Sequence, residues 1–402
     1  MVGQTWPLLD SIRIGAALLV VLGHCRFLYF GTPENVAQSS IWRQLFYLFT
    51  GLGHEAVVLF FVLSGFLVGG QILASKAKGV FDPWAYFVNR FVRIYIVFIP
   101  ALVLAFGLDQ IGANFLTGTA AHKDLLDGWS DFNFRCYLGC LQGVACAAHA
   151  NPPLWSLGYE WLLYLFAPAV FGILFSSYSY IVRLCLIALL AVVFQFALAV
   201  IPDKSALGGE LVWKWFLIWF LGAAAYWIVN SRCLPTAAGI FGIFCVAVAF
   251  LLARSRIVPP FASDCMIAVG LALTISSRLL LVWRFFPRGS ANLAGFSYSL
   301  YAIHLPIIVF SARILEAAHL AGPHPEPTLR AGSDFLLTVA IALVGAIGFS
   351  RLTEAETTAL RRFILKRRTA KAPRTEPTQA ADYRRSAPPD RLAELPCNDR
   401  SK

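Results

Sequence analysis

The sequence predicts an all-α, polytopic membrane protein with about ten transmembrane helices and both termini in the cytoplasm. The 402 residues are 58% hydrophobic and only 14% charged, whereas about a quarter of the residues in soluble domains are charged. Apolar runs close to the ~20 residues that a bilayer requires recur ten times. They lie near 11–30, 53–73, 92–111, 155–175, 182–201, 211–229, 235–253, 264–283, 292–313 and 334–350.

The distribution of lysine and arginine predicts the orientation. With the N-terminus inside, the loops and the tail on the cytoplasmic side carry more of these residues than the opposite loops, as the positive-inside rule requires. The tail from Arg351 holds 13 Lys and Arg against 7 Asp and Glu, which supplies 6 of the 11 formal positive charges. A basic cytoplasmic flank explains this excess, so we predict a bilayer as partner and no nucleic acid.

The chain divides into a membrane-embedded domain, 1–350, and a basic cytoplasmic tail, 351–402. Five prolines and alternating charges predict disorder in the tail from about Thr369. The N-terminus lacks the early positive cluster and the small-residue cleavage site of a signal peptide. We therefore expect the first helix to remain in the mature protein.

Nine cysteines are present without a CxxC pair, so the sequence predicts no metal site. Three of them, Cys136, Cys140 and Cys146, fall in the long loop 112–154, which the orientation places outside. In an oxidising compartment one disulfide can form there. The pairing cannot be read from the spacing, and three free thiols are the alternative.

The first apolar helix carries two ionisable residues, Arg13 and His24. Eleven helical residues return to nearly the same direction, so both side chains share one face, about 16 Å apart along the axis. The orientation puts Arg13 toward the cytoplasm and His24 toward the outer face. An ionisable residue in a spanning helix indicates function, although Arg13 could also anchor the helix by snorkelling.

The second span combines small and polar residues. Ser64 and Gly65 form a small pair that lets another helix approach closely, so helix packing competes with a role in a site. His54 and Glu55 lie at the outer end of the same span. They form either a polar cap at the membrane interface or the rim of an active site.

The third and fourth spans add charged candidates. Arg90 and Arg93 are three residues apart and face nearly the same way. They either anchor the cytoplasmic end or bind phosphate from a cytosolic donor, because guanidinium groups match phosphate oxygens. Glu160 lies within the fourth span, and Tyr164, four residues later, can hydrogen-bond to it.

The ninth span carries a polar stripe. Ser297, Tyr301 and His304 follow the i, i+4, i+7 spacing of one helix face, and Pro306 is expected to kink the helix just beyond. The histidine is either a packing residue with satisfied hydrogen bonds or part of a site.

Taken in order, these motifs resemble the acyltransferase 3 family of integral-membrane enzymes over about residues 8–350. The motifs are Arg13 with His24, Phe60-Phe61-Val62-Leu63-Ser64-Gly65-Phe66, Arg90-Phe91-Val92-Arg93-Ile94-Tyr95, Trp155-Ser156-Leu157-Gly158-Tyr159-Glu160 and Ser297-Tyr298-Ser299-Leu300-Tyr301-Ala302-Ile303-His304. The third motif has Val92 where many members carry a second adjacent arginine.

The resemblance implies a ten-span enzyme of the bacterial inner membrane. Such an enzyme transfers an acyl group, usually acetyl from cytosolic acetyl-CoA, to a hydroxyl of a polysaccharide, lipopolysaccharide or other glycolipid. It implies no permanently bound cofactor, because acetyl-CoA is the donor substrate. By the same resemblance, Arg13 and His24 are the signature pair and Glu160 is the fourth-span carboxylate.

Acyl transfer needs a base for the hydroxyl proton and positive groups for the developing oxyanion. We predict His24, Arg13 and Glu160 as catalytic residues. His24 serves as base or as transient acyl carrier, with Glu160 or Glu55 orienting its ring. The predicted donor- and substrate-binding residues are Arg90, Arg93, Ser64, Tyr301, His304, His54 and Glu55.

A ten-span transporter or flippase is the competing hypothesis. It would be expected to show inverted repeats and helices broken by Gly or Pro at matching positions. The sequence shows neither, which favours the transferase.

Overall fold

The described residues form helices and no β-strand, which confirms the predicted fold class. The computed structural model describes residues 7–30, 40–116, 119, 129, 132–199, 210–253, 257–282, 295–318 and 329–371. The helices are α1 (Pro7–Phe30), α2 (Ile41–Phe49), α3 (Gly53–Ser64), α4 (Gly70–Ala77), α5 (Pro83–Phe115), α6 (Phe134–Leu138), α7 (Trp155–Leu174), α8 (Tyr180–Ala199), α9 (Glu210–Ser231), α10 (Thr236–Leu252), α11 (Pro260–Ile275), α12 (Leu279–Val282), α13 (Ser297–Ala317), α14 (Leu329–Leu352) and α15 (Thr357–Lys371).

The long apolar helices make this a multi-pass membrane protein. Seven helical stretches in the described ranges are long and apolar enough to cross a bilayer. Three shorter apolar helices, α8, α10 and α11, lie where the remaining spans are predicted. Large apolar side chains are exposed on the outer surface of α8, α10 and α14, among them Val192, Phe244 and Val344. The number of crossings and the cytoplasmic position of both termini stay predictions.

Helix α1 packs against α3, α13 and α14. Its contact with the turn before α3 is close, because a Cβ atom on Gly23 would lie 3.0 Å from the carbonyl oxygen of Thr50. Small residues allow such close contacts between membrane helices. Three neighbouring helices therefore hold the helix that carries Arg13 and His24.

The second span changes its winding next to Ser64. A π-helical turn, Gly65–Gly69, joins α3 to α4. Gly65 lies so close to the carbonyl oxygen of Trp219 on α9 that a Cβ atom there would clash. Gly65 thus serves helix packing, as its size predicts, while π-helical turns inside helices often mark functional sites.

Part of the predicted outer loop packs against the membrane helices. The Tyr95 hydroxyl of α5 donates to the carbonyl oxygen of Leu138 at 2.9 Å, and the Asn151 amide donates to the carbonyl oxygen of Ala302 on α13 at 2.9 Å. The contact of Asn151 is buried, whereas Leu138 is exposed. Residues 132–154 therefore pack against both α5 and α13, and their position on the outer side stays a prediction.

A disulfide joins Cys136 to Cys146 within this segment. Of the two alternatives that the sequence left open, the disulfide is the one observed. The remaining thiol, Cys140, is buried, and burial raises its pKa to about 12. It is therefore protonated and unreactive at neutral pH.

The chain continues in regular structure beyond residue 350. A 3₁₀ turn, Glu354–Glu356, follows α14, and α15 then packs against α5. The tail is predicted to be disordered from about Thr369. The structure describes only its first residues, which form the end of α15 at Lys371. The rest of that prediction lies outside the described residues.

Candidate functional site

A cavity of about 440 Å³ lies among α1, α3, α5, α7 and α13. Side chains from sequence-distant helices converge on it, because α1 packs on both α3 and α13. Six predicted site residues line it: Arg13, Ser64, Arg90, Arg93, Glu160 and Tyr301. The volume is within the range of small-molecule sites, about 300–1,000 Å³.

Two arginines of the cavity have acidic partners. Arg13 lies 3.8 Å from the carboxylate of Asp10, one turn earlier on α1, and donates a 3.4 Å hydrogen bond to Ser297. The Arg93 guanidinium forms a 2.7 Å ion pair with Glu354. These contacts hold both guanidinium groups at the cavity wall.

Arg90 is held by neutral groups instead. Its Nη2 atom donates to the side-chain oxygen of Gln71 at 2.7 Å. Its guanidinium also lies over the rings of Tyr86 and Tyr164, 5.8 and 5.6 Å from their centres. Aromatic faces attract cations, so these neutral groups hold the Arg90 guanidinium at the cavity wall.

Glu160 is the carboxylate that lines the cavity. Its Oε1 atom accepts hydrogen bonds from Ser64, at 2.9 Å, and from Tyr164. The contact with Tyr164 is the one that the spacing predicts. Ser64 in turn accepts a 3.1 Å hydrogen bond from the Trp219 indole. Ser64 therefore takes part in the site while the adjacent Gly65 serves packing.

The two predicted histidines meet each other at a separate point. The Nε2 atom of His304 lies 3.2 Å from the Nδ1 atom of His24. Because α1 meets α13 both at Arg13–Ser297 and at His24–His304, the two helices run in the same direction. This confirms that Arg13 and His24 share one helix face.

Backbone carbonyl groups assign the tautomers of both rings. Nδ1 of His24 lies 2.9 Å from the carbonyl oxygen of Val20, and Nδ1 of His304 lies 2.8 Å from that of Tyr301. A carbonyl oxygen only accepts, so each Nδ1 carries the proton. Nε2 of His304 then accepts from His24, and Nε2 of His24 keeps its lone pair. His304, rather than Glu160 or Glu55, orients the His24 ring.

The cavity approaches the histidine pair along α3. Val57 lines the cavity, and Gly53 lies one turn earlier on the same helix. A Cβ atom on Gly53 would lie 3.9 Å from the Cα atom of Val20, the residue whose carbonyl accepts from His24. The end of the cavity that Val57 lines is therefore about one helical turn away from Val20.

His54 and Glu55 are not brought to the cavity. His54 Nε2 lies 3.0 Å from the Asp264 carboxylate, which also accepts a 2.7 Å hydrogen bond from Lys214. The Asp264 side chain is 2% exposed and that of His54 is 44% exposed. Glu55 is buried at the start of α3. His54 belongs to a charged cluster that joins α3, α9 and α11.

Four residues that the sequence analysis did not name as site candidates belong to these groups. Lys214 and Asp264 form the cluster with His54, Glu354 pairs with Arg93, and Arg361 on α15 lines the cavity. Lys214 and Asp264 both fall inside predicted spans, where an ionisable residue alone is a signal of a role. Glu354 and Arg361 fall in the charged segment after the last span, where a solvated tail is the ordinary expectation. Among the described residues no group of His, Cys, Asp and Glu side chains could hold a metal ion.

Comparison with known proteins assigns the chain to a class of enzymes. The model of a family described as an acyltransferase domain matches residues 6–353. A relative, acyltransferase MdmB of Streptomyces mycarofaciens, is 25% identical over 364 residues, which cover 84% of this chain and 88% of the relative. No solved structure matches the chain significantly.

Proposed function

Since the chain belongs to the acyltransferase 3 family and is a membrane acyltransferase, we propose that it transfers an acyl group, chiefly acetyl, from acyl-CoA to a hydroxyl of a polysaccharide, lipopolysaccharide or other glycolipid. The observation that carries this proposal is the cavity lined by Arg13, Arg90, Arg93 and Glu160. A cluster of guanidinium groups favours an anionic substrate.

Acyl-CoA suits this cavity chemically. Its phosphates need positive partners, and its thioester carbonyl needs a hydrogen-bond donor when it becomes an oxyanion. Arg90 and Arg93 supply charge for the phosphates, and Arg13 lies on the helix that leads to His24. Acyl-CoA acts as the donor substrate, so the reaction requires no permanently bound cofactor.

His24 is the base in the proposed reaction. Its Nε2 lone pair takes the proton of the acceptor hydroxyl while the hydroxyl oxygen attacks the thioester carbonyl. The carbon–sulfur bond then breaks, and the protonated imidazole returns the proton to the leaving thiolate. The imidazolium formed in between donates from Nδ1 to Val20 and His304 without turning.

We propose that the acceptor binds at the outer face of a bacterial inner membrane. The family resemblance and the positive-inside rule support this assignment. The disulfide between Cys136 and Cys146 supports it as well, because disulfides persist in oxidising compartments.

The test uses the purified full chain in lipid nanodiscs with radiolabelled acetyl-CoA and glycan extracts from the source membrane. We expect label on the glycan with the unmodified chain and with the control His149→Ala, an exposed histidine. His24→Ala should transfer nothing although it folds in equal amount. Near-normal transfer by His24→Ala would refute the assignment. Glycan movement without acyl transfer would instead indicate a flippase.

A further inference from the structure

Arg361 is a fourth arginine on the wall of the cavity, beside Arg13, Arg90 and Arg93. It lies on α15, after the last apolar span, and beyond residue 353, where the match to the family model ends. The shared motifs of the family therefore do not account for it. It belongs to a segment that composition alone describes as a basic tail.

The position of Arg361 is fixed by contacts at the start of its helix. Glu354, in the turn before α15, pairs with Arg93 at 2.7 Å and accepts a 3.0 Å hydrogen bond from Ser299. Thr357 caps the same turn through the carbonyl oxygen of Glu354. Arg361 follows Glu354 by seven residues, about two helical turns, and α15 packs against α5. The helix is thus tied to the cavity wall.

The charges at this end of the cavity do not balance within the protein. In the described part of the chain, no carboxylate lies within ion-pair distance of Arg90 or Arg361, while Arg93 has Glu354. Arg361 is also near enough to Arg90 and Arg93 for the like charges to repel one another. Such a cluster in a partly buried cavity is costly unless an anion binds there.

We propose that Arg361 binds a phosphate group of the acyl-CoA donor, so that α15 is part of the donor site. This inference rests on the proposed function, because it takes acyl-CoA as the donor. Arg361 and Arg90 together offer two guanidinium groups to the phosphate oxygens. The Arg93–Glu354 ion pair holds α5 and the turn before α15 together. The enzyme then distinguishes a donor with phosphates from a bare pantetheine thioester.

The first test compares two donors in nanodiscs, acetyl-CoA and S-acetylpantetheine, which lacks the phosphates. Arg361→Gln should lower kcat/KM for acetyl-CoA about tenfold to a hundredfold, mainly through KM, as expected for one charged hydrogen-bond partner. Its kcat/KM for S-acetylpantetheine should not change. The matched control is Arg362→Gln, because Arg362 is exposed and does not line the cavity. An Arg361→Gln variant that behaves like this control, or that loses both donors equally, overturns the inference.

A second test does not depend on the identity of the donor. Binding of inorganic pyrophosphate to the unmodified chain is measured as a shift of the unfolding midpoint. We expect the shift in the unmodified chain and in Arg362→Gln, and a much smaller one in Arg361→Gln. Equal shifts in all three, or none in the unmodified chain, refute the phosphate site. A lost shift together with no turnover of acetyl-CoA keeps the phosphate site and refutes the proposed donor.

Discussion

His304 on α13 places its Nε2 atom 3.2 Å from Nδ1 of His24 on α1, so one imidazole orients the other. In hydrolases with a catalytic triad, a carboxylate holds the base in the required tautomer. Here a neutral, fully buried histidine occupies that place, together with the carbonyl oxygen of Val20. A neutral partner suits the interior of a membrane protein, because it brings no second buried charge.

Replacing His304 by Phe should therefore lower kcat and leave KM for the donor nearly unchanged. The loss is that of one neutral hydrogen bond, about tenfold, because Val20 still accepts from Nδ1 of His24. Initial-rate measurements on folded protein, quantified by gel filtration, give both constants. His304→Gln, which keeps a polar atom, should recover part of the rate. A drop in folded protein with an unchanged kcat would show that His304 only packs.

Glu160 leads to a second prediction. Glu160→Gln keeps an acceptor for Ser64 and Tyr164 but removes the negative charge facing the arginines. We expect a loss of about tenfold to a hundredfold in kcat/KM, the effect of losing one charged hydrogen-bond partner, with little change in the unfolding midpoint. Tyr164→Phe is the matched control and should lose about tenfold or less, because Ser64 still holds the carboxylate. An active Glu160→Gln enzyme would exclude a role for the charge.

Local spacing predicts much of this site, and long-range pairing explains the rest. The shared face of Arg13 and His24 and the contact of Glu160 with Tyr164 follow from helix geometry over eleven and four residues. The meeting of His24 with His304 joins residues 280 positions apart, and no periodicity specifies it. The Arg93–Glu354 ion pair is hidden for the same reason, because Glu354 lies in a segment whose composition resembles a solvated tail.

The cluster of His54, Asp264 and Lys214 leads to a prediction about stability. Asp264→Asn leaves Lys214, whose side chain is 11% exposed, without its anionic partner. Removing one member of a buried ion pair costs about 3–5 kcal/mol, which denaturant unfolding in detergent would measure. Activity per folded molecule should persist, since none of the three residues lines the cavity. Adding Lys214→Met to Asp264→Asn should restore much of the stability. If His54→Gln loses activity while its stability is normal, the predicted rim role of His54 is supported instead.

The loop segment 132–154 supplies the last prediction. It contacts α5 through the carbonyl oxygen of Leu138 and α13 through the side chain of Asn151, and the Cys136–Cys146 disulfide encloses the first of these contacts. Replacing both bonded cysteines by serine should destabilise the protein by about 2–4 kcal/mol, the usual worth of a disulfide. The unfolding midpoint should fall, and dithiothreitol should lower the midpoint of the unmodified chain by at least as much. Cys185→Ser, at an exposed free thiol, is the control and should change neither value. Equal midpoints for the double variant and the control would show that packing alone holds the segment in the bundle.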